Sequence, residues 1–481
     1  MLIIQNGYEC AYELRLFAEM FFDKDEDAQI FSHFEYKDKR INVYTQINFA
    51  GKAYFEDLYF DFDAENSSAQ LKKKIFTACC TRSFCHAAKK IRKVSIPWGV
   101  MCGIRPAKNY RELEEQGFDD EQVQSIFKRV YEVSDEKTAL ARTVAMNEKA
   151  LLNQIDHDSV SLYIGIPFCP TRCVYCSFVS TDIRTSGKYM AEFVEKLLLE
   201  IDKTAQIIKR LGKFVDNIYI GGGTPTTLSA EDIKRICERL HKYFDFTKIK
   251  EFTLEAGRPD TITPEKLSAA VEGGVDRISI NPQSMNAVTL ERVGRTHSPQ
   301  MVKDAFKMAR DAGIKNINMD LIAGLPGEDA KMFKYSLDEV ISLDPEDITV
   351  HSLCIKRAAD LNRREKRLAE ADEMNRMLEY TQKRMYETGR EPYYMYRQKN
   401  SSGNLENVGY AKHGFMSTYN INIMEEKQTI IALGGGGSSK IVNGSRIERV
   451  FNFKDPLEYI RRFDEIIKKK DEAAKLMEAG E

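Results

Sequence analysis

From Ser161 onward, short apolar runs alternate with amphipathic stretches in a regular rhythm. The runs are Ser161–Ile166, Val215–Ile220, Glu251–Ala256, Val275–Asn281, Asn316–Ile322 and Asp347–Leu353. Each is short and most are rich in β-branched or aromatic residues, which predicts strands. Between them the apolar spacing changes to three or four residues. Phe193, Leu197, Ile201, Ala205, Ile208 and Leu211 fall on one face of a helix. A second helix is predicted to open at Ser229, with Asp232 three residues on as a variant of the capping box, and to run through Ile233, Ile236 and Leu240. Strand–helix alternation implies parallel strands joined by right-handed crossovers. Six such units predict an α/β fold, a partial (β/α)6 barrel two units short of the closed form.

Before about Asp158 the rhythm breaks. Asn42–Phe49 and Ala53–Phe60 read as a hairpin around Gly51, and Arg111–Gln116, Glu121–Val133 and Ser134–Leu151 as helices. The expectation is an N-terminal α+β domain over residues 1–158, the barrel over 159–370 and a C-terminal extension over 371–481. That extension follows a charged helical stretch after Asp360, passes through a Tyr/Gly-rich region and ends in a helix.

At about 150 residues per domain, 481 residues suit roughly three domains. With 43% apolar and 30% charged residues the chain has an ordinary globular composition. No run approaches the ~20 apolar residues of a membrane span, and the acid-containing N-terminus is not read as a signal peptide. Seventy-one basic against 73 acidic residues leave no excess to neutralise phosphates, so no nucleic-acid partner is expected. Ten cysteines without an export signal imply a reducing, cytoplasmic location, where cysteines are more often free, catalytic or metal-bound than paired.

Three cysteines crowd into eight residues just after the first predicted strand, in Ile166-Pro-Phe-Cys169-Pro-Thr-Arg-Cys173-Val-Tyr-Cys176. In a barrel this is the rim where active sites are built. Three thiolates on one short loop suit three corners of a 4Fe–4S cube and leave the fourth iron open. A structural zinc would want a fourth ligand nearby, and His157 and His241 lie well outside the loop. The glycines of Gly221-Gly-Gly-Thr-Pro225 allow backbone to approach a ligand closely.

C-x3-C-x2-C with an aromatic before the last cysteine, here Tyr175, resembles the radical S-adenosylmethionine (SAM) signature. The resemblance extends to the oxygen-independent coproporphyrinogen III oxidases and, within them, to a coproporphyrinogen dehydrogenase branch. It rests on YxxxPFCxxxCxYC at Tyr163–Cys176, GGGTPTTL at Gly221–Leu228, Glu255, Gln283, Arg295, DLIAGLPGE at Asp320–Glu328 and the glycines from Gly434. It implies that Cys169, Cys173 and Cys176 ligate a 4Fe–4S cluster whose open iron takes the amine and carboxylate of SAM. Tyr163 is implied at the cofactors with a catalytic role, Tyr175 at the adenine, Gly222, Gly223 and Thr224 along the methionine, and Glu255 at the ribose or amino group. Positions matching Gly223, Thr224, Gln283, Arg295 and Asp320 contact a second SAM in the related oxidases. The implied reaction is oxidative decarboxylation of coproporphyrinogen III to protoporphyrinogen IX, with reduced flavodoxin or ferredoxin as electron donor. The same lineage includes haem-binding chaperones, and a radical SAM enzyme acting on another tetrapyrrole is a third reading. One departure stands out: where the oxidases carry histidine two residues after the strand-one tyrosine, this chain has Gly165.

Three further features carry less. Cys79, Cys80, Cys85 and Cys102 have no spacing that defines a site, and buried cysteines are expected. Tyr393–Asn400 mixes aromatics and cations that would suit a carboxylate-edged macrocycle, or form a strand with a buried aromatic face. His351 and His413 are candidate haem ligands.

Overall fold

The computed structural model describes residues 1–23, 25–177, 180–354, 371–398, 402–444 and 446–479. Residues 360–370, Lys399 and Asn400, which the sequence reading invokes, lie outside this set. The chain divides into two units, Met1–Ala145 with Gly403–Leu405, and Met146–Ser402 with Glu406–Glu481. Among the described residues no helix is long and apolar enough to cross a membrane.

The first unit is a four-stranded sheet with helices. Strands β1 (Leu2–Asn6), β2 (Gln29–Lys37), β3 (Arg40–Phe49) and β4 (Lys52–Asp61) lie in that order, β1 parallel to β2 and the rest antiparallel. Ala50 and Gly51 both take positive φ, 49° and 74°, in the two-residue turn whose twist suits a hairpin. Ile41, Val43, Thr45 and Ile47 alternate inward on β3. Helix α1 spans Ala11–Phe21, and α2 spans Ala69–Lys89 and starts where the Ser68 hydroxyl accepts from Leu71 N. Cys79, Cys80 and Cys85 are buried on α2, and burial pushes the Cys79 thiol up to about 12. Helices α3 (Pro106–Glu115), α4 (Asp120–Ser125) and α5 (Asp135–Leu152) follow. The single helix expected over Glu121–Val133 is α4 and a five-residue π-helical turn, Ile126–Val130. The sequence reading did not pick out β1, α1, β2 or α2.

The second unit holds the barrel. Its parallel strands are β5 (Ser159–Ile166), β6 (Phe214–Gly222), β7 (Glu251–Glu255), β8 (Arg277–Ser279), β9 (Asn316–Ala323) and β10 (Asp347–Ser352). They alternate with helices α6 (Met190–Arg210), α7 (Ala230–Tyr243), α8 (Pro264–Glu272), α9 (Pro299–Asp311) and α10 (Ala330–Ser342). The Ser229 side chain caps α7 as expected, accepting from Asp232 N at 3.0 Å while donating to its carboxylate at 2.7 Å. Further elements after the barrel include α11 (Ala371–Glu387), β11 (Arg390–Arg397), β12 (Glu406–Lys412), α12 (Thr418–Glu425), β13 (Ile430–Gly434), β14 (Ser438–Asn443), β15 (Arg446–Phe451) and α13 (Phe463–Glu478). They extend the same sheet at both edges. Strands β12 and β11 add antiparallel beside β10. Strand β13 adds parallel to β5 as a seventh parallel strand, and β14 and β15 continue from it.

Strands buried on both faces are usually apolar throughout. Here they alternate. Leu162, Ile164, Ile218, Ile220, Phe252, Leu254, Ile278, Ile317, Met319, Ile348 and Val350 form one buried set. The intervening positions are Tyr163, Tyr219, Glu255, Arg277, Ser279, Asn318, Asp320, Thr349 and His351, and they line a cavity. At its base the guanidinium of Arg277 pairs with Asp347 at 2.6 Å, both essentially inaccessible, and Tyr393 donates to the same carboxylate at 2.7 Å.

Candidate active site

Strand β5 delivers the cysteine loop to the C-terminal rim of the parallel strands. The glycine loop after β6 is bonded to it: Gly223 N donates to Ile166 O at 2.8 Å and Thr224 N to Phe168 O at 2.7 Å. A Cβ on Gly223 would stand 2.5 Å from Phe168 O, so only glycine allows this contact. The sequence reading gave these glycines closeness to a ligand; the structure gives Gly223 closeness to the cysteine loop. Thr171 Oγ1 donates to Gly294 O at 3.1 Å, and Val174 N donates to Val293 O at 3.1 Å. Val174 and Tyr175 pack on the cluster of Val293, Ile322, Leu325 and Leu353. Cys173 is buried, while Cys169 and Cys176 are half-buried. Burial raises the Cys169 thiol, and Thr224 Oγ1 lies 3.4 Å from its sulfur.

The loops meet over a cavity of about 590 Å³. All twelve residues that the sequence reading assigned to the cofactors line it: Tyr163, Cys169, Cys173, Tyr175, Cys176, Gly222, Gly223, Thr224, Glu255, Gln283, Arg295 and Asp320. Glu255 ends β7. Burial pushes its carboxyl up to about 7, although Tyr219 donates to it. Tyr219 stacks between Tyr163, 6.2 Å away at 17°, and Tyr419, 4.4 Å away at 19°. Burial pushes the Asp320 carboxyl up, but His351 at 3.7 Å and the Asn318 amide at 2.8 Å hold it below the usual range. Gln283 sits at φ 64°, held by Gln283 N on Asp320 O at 2.9 Å and by Ile322 N on its own carbonyl at 3.0 Å. Arg295 reaches Asn281 O and, at 3.3 Å, Gly257 O. Its charge is disfavoured by burial but held by Tyr175 and Cys173, with the net shift upward.

The sequence reading missed several lining residues. Arg258, Tyr219, Arg277, Asn318 and Tyr419 open on the same cavity. The signal for the strand residues was present, a polar residue at every second position of strands read as parallel. Tyr394 and Tyr396 of β11 line the cavity, while Tyr393 points to Asp347. The segment is the strand with buried aromatics of the second reading, and two of those aromatics line the cavity. His351 lines the cavity, and His413 is exposed beyond β12.

The donor set fits a cluster with a polar cofactor beside it. Among the described residues, no three Cys, His, Asp or Glu side chains come together closely enough to hold one metal ion. A tetrahedral zinc site gathers its ligands at 2.0–2.3 Å from a single centre, whereas a cube takes one thiolate at each of several corners. Gln283 Oε1 and Arg295 Nε are buried without a partner. Buried polar atoms are ordinarily satisfied, and a polar ligand in the cavity both residues line would supply that contact.

The Radical SAM superfamily model matches residues 163–340, from the middle of β5 to near the end of α10. A radical SAM protein is thus the class that barrel and cysteine loop define, and the class brings a 4Fe–4S cluster and SAM as its cofactors. Within it, the chain is 42% identical over 374 residues to the oxygen-independent coproporphyrinogen-III oxidase-like protein HemZ of Bacillus subtilis, covering 76% of this chain and 75% of that one. The chain belongs to this oxygen-independent coproporphyrinogen III oxidase-like family. It is also 36% identical over 199 residues to the heme chaperone HemW of Bacillus subtilis, 41% of this chain and about half (51%) of that relative. The structure of coproporphyrinogen III oxidase (HemN) from Escherichia coli shares the fold, with a TM-score of 0.54 at 22% identity over 67% of this chain and 73% of that one.

Proposed function

We propose that this chain is a radical SAM oxidoreductase that converts coproporphyrinogen III to protoporphyrinogen IX without oxygen. The observation that carries the reading is the convergence of the cysteine loop, the glycine loop, Glu255, Gln283, Arg295 and Asp320 on one cavity. The 42% relative, itself named oxidase-like, supports the substrate class. Cys169, Cys173 and Cys176 would hold the cluster. Tyr163, Tyr175, Gly222, Gly223, Thr224 and Glu255 would hold SAM, and Gln283, Arg295 and Asp320 its polar groups or those of a second molecule. When bound, cluster and SAM supply one-electron chemistry that removes a hydrogen atom from an unactivated carbon. The chain's own residues bind and orient. Glu255, half-protonated near neutrality, can accept or donate at a hydroxyl or amino group. Arg295 offers a guanidinium to a carboxylate. Tyr394, Tyr396 and Tyr419 offer aromatic surface to a macrocycle. Reduced flavodoxin or ferredoxin would deliver the electron.

The test is anaerobic. The cluster is reconstituted, reductant and SAM are added, and 5′-deoxyadenosine is quantified with and without coproporphyrinogen III. Substrate-stimulated release with a vinyl-bearing product is expected, and Cys173→Ala should abolish both. SAM cleavage indifferent to coproporphyrinogen overturns the substrate. Stoichiometric haem binding without turnover would transfer the chain to the chaperone function for which its 36% relative is named.

A further inference from the structure

Arg258 is buried, at 3% exposure, on the loop that follows Glu255. Its Nε donates to Asp260 Oδ1 at 3.0 Å, and Nη2 donates to Asp260 Oδ2 at 2.7 Å and Thr296 Oγ1 at 2.8 Å. Nη1 donates to Thr171 Oγ1 at 3.0 Å and lies 3.9 Å from Cys173 Sγ. A guanidinium has five N–H groups in a rigid fork, and here each has an acceptor within reach. Thr296 in turn donates to Asp260 at 2.6 Å, so the fork cannot turn without breaking several bonds. A cation taken out of water is costly unless paired and hydrogen-bonded. Asp260 meets that cost with the bidentate pair, which leaves the Nη1 edge facing the cysteine loop.

We propose that Arg258 is a positioning residue for the cluster: it aims a fixed N–H at the Cys173 sulfur and raises the cluster's reduction potential. The proposal rests on the assignment of Cys173 as a cluster ligand. Hydrogen bonds to the sulfurs and local net charge are among the factors that set iron–sulfur potentials, and groups around the ligands tune metal sites generally. Reduction adds a negative charge to the cluster and its thiolates. A nearby cation donating a hydrogen bond favours that more negative state, so its removal lowers the potential.

The experiment compares reconstituted parent, Arg258→Met and Arg258→Lys proteins. Iron is counted, and the reduced fraction is read by electron paramagnetic resonance at one fixed applied potential, set at the parent's midpoint. The ratio of reduced to oxidised cluster is expected to fall about tenfold in R258M, which is 59 mV for a one-electron couple. In R258K it is expected to fall about threefold, since lysine keeps the charge but loses the fork. A ratio within twofold of the parent in an iron-replete R258M overturns the proposal. If R258M holds no iron, R258K decides: a ratio within twofold of the parent overturns it, and a larger fall supports it. If the parent itself yields no reducible cluster, the assignment of the cysteines fails, and that outcome is distinct from the failure of Arg258's role.

Discussion

Gly165 stands where the family resemblance leads to the expectation of histidine, and its surroundings set the cost of any side chain there. It is buried at the end of β5, in register with Gly434 of β13. Gly435 N donates to Gly165 O at 3.0 Å. A Cβ on Gly165 would stand 2.6 Å from Gly435 O and 3.4 Å from Tyr163 Cε1. The first contact is with backbone, which no rotamer change relieves. Retreat of the 434–437 loop is itself opposed, because Gly434 N donates to the buried Glu200 carboxylate at 2.7 Å. Overpacking of this kind costs about 1–3 kcal/mol, and loss of the bond from Gly435 N adds about 1 kcal/mol. We therefore expect Gly165→Ala to destabilise the barrel by about 2–4 kcal/mol. At roughly 2 °C per kcal/mol for a large domain, the melting temperature of the cluster-free protein under reducing conditions should fall by about 4–8 °C. Gly165→His should fall further and gain nothing from its imidazole. A G165A protein that melts within 1 °C of the parent and takes up the parent's iron would refute the reasoning.

Glu255→Gln tests the buried carboxyl. Its folded pKa of about 7 lies above the ordinary value of 4.5. The raised pKa favours the protonated native state, so the stability it contributes is present below pH 4.5 and lost as the pH rises through 7, by about 3 kcal/mol at most. Thermal melts at pH 5 and pH 8 should differ less in E255Q than in the parent, and equal differences would contradict the assignment. Arg277→Met strands Asp347 without its cation and should cost about 3–5 kcal/mol; the double change with Asp347→Leu should recover most of it in denaturant melts. Glu200 accepts from Gly434 N, Asn452, Tyr459 and Lys470. Glu200→Ala leaves Gly434 N and the Tyr459 hydroxyl unmet and Lys470 without its anion, and proteolysis at the 434–437 loop should accelerate at least tenfold.

All six barrel strands were legible because most are rich in β-branched or aromatic residues and the stretches between them are amphipathic. Ser229 was legible because a cap is a local device. The cysteine and glycine loops were legible because their spacing is chemically specific. Strand β13 was not. Ile430–Leu433 is a bare apolar run followed by four glycines, and nothing in it states that its neighbour is β5, some 270 residues earlier; that pairing is set by tertiary packing. Helix α2 escaped for a related reason. Helix α2 carries lysines, threonines and cysteines with no clear apolar stripe, so its burial follows from the sheet it covers. Arg258 escaped because a lone arginine has no signature: its role comes from Asp260, Thr171, Thr296 and Cys173 meeting in space.

The interior of the partial barrel ties these observations together. A closed eight-stranded barrel fills its centre with layers of branched apolar side chains. Here the inward positions of β8, β9 and β10 include Ser279, Asn318, Asp320 and Thr349, linked to one another. Such a network costs stability wherever a member is unsatisfied. Most members bond their neighbours, yet Gln283 Oε1 and Arg295 Nε, at the rim beside the cysteines, do not. Orphaned atoms lie at both ends of the cavity: Gln283 Oε1 and Arg295 Nε toward the cysteine loop, and Arg277 Nε and Asp347 Oδ1 within the Arg277–Asp347–Tyr393 set at the base. The chain has therefore given up apolar packing to keep a polar chamber, and Gln283 Oε1 and Arg295 Nε are the unpaired groups that a polar cofactor beside the cysteines would meet.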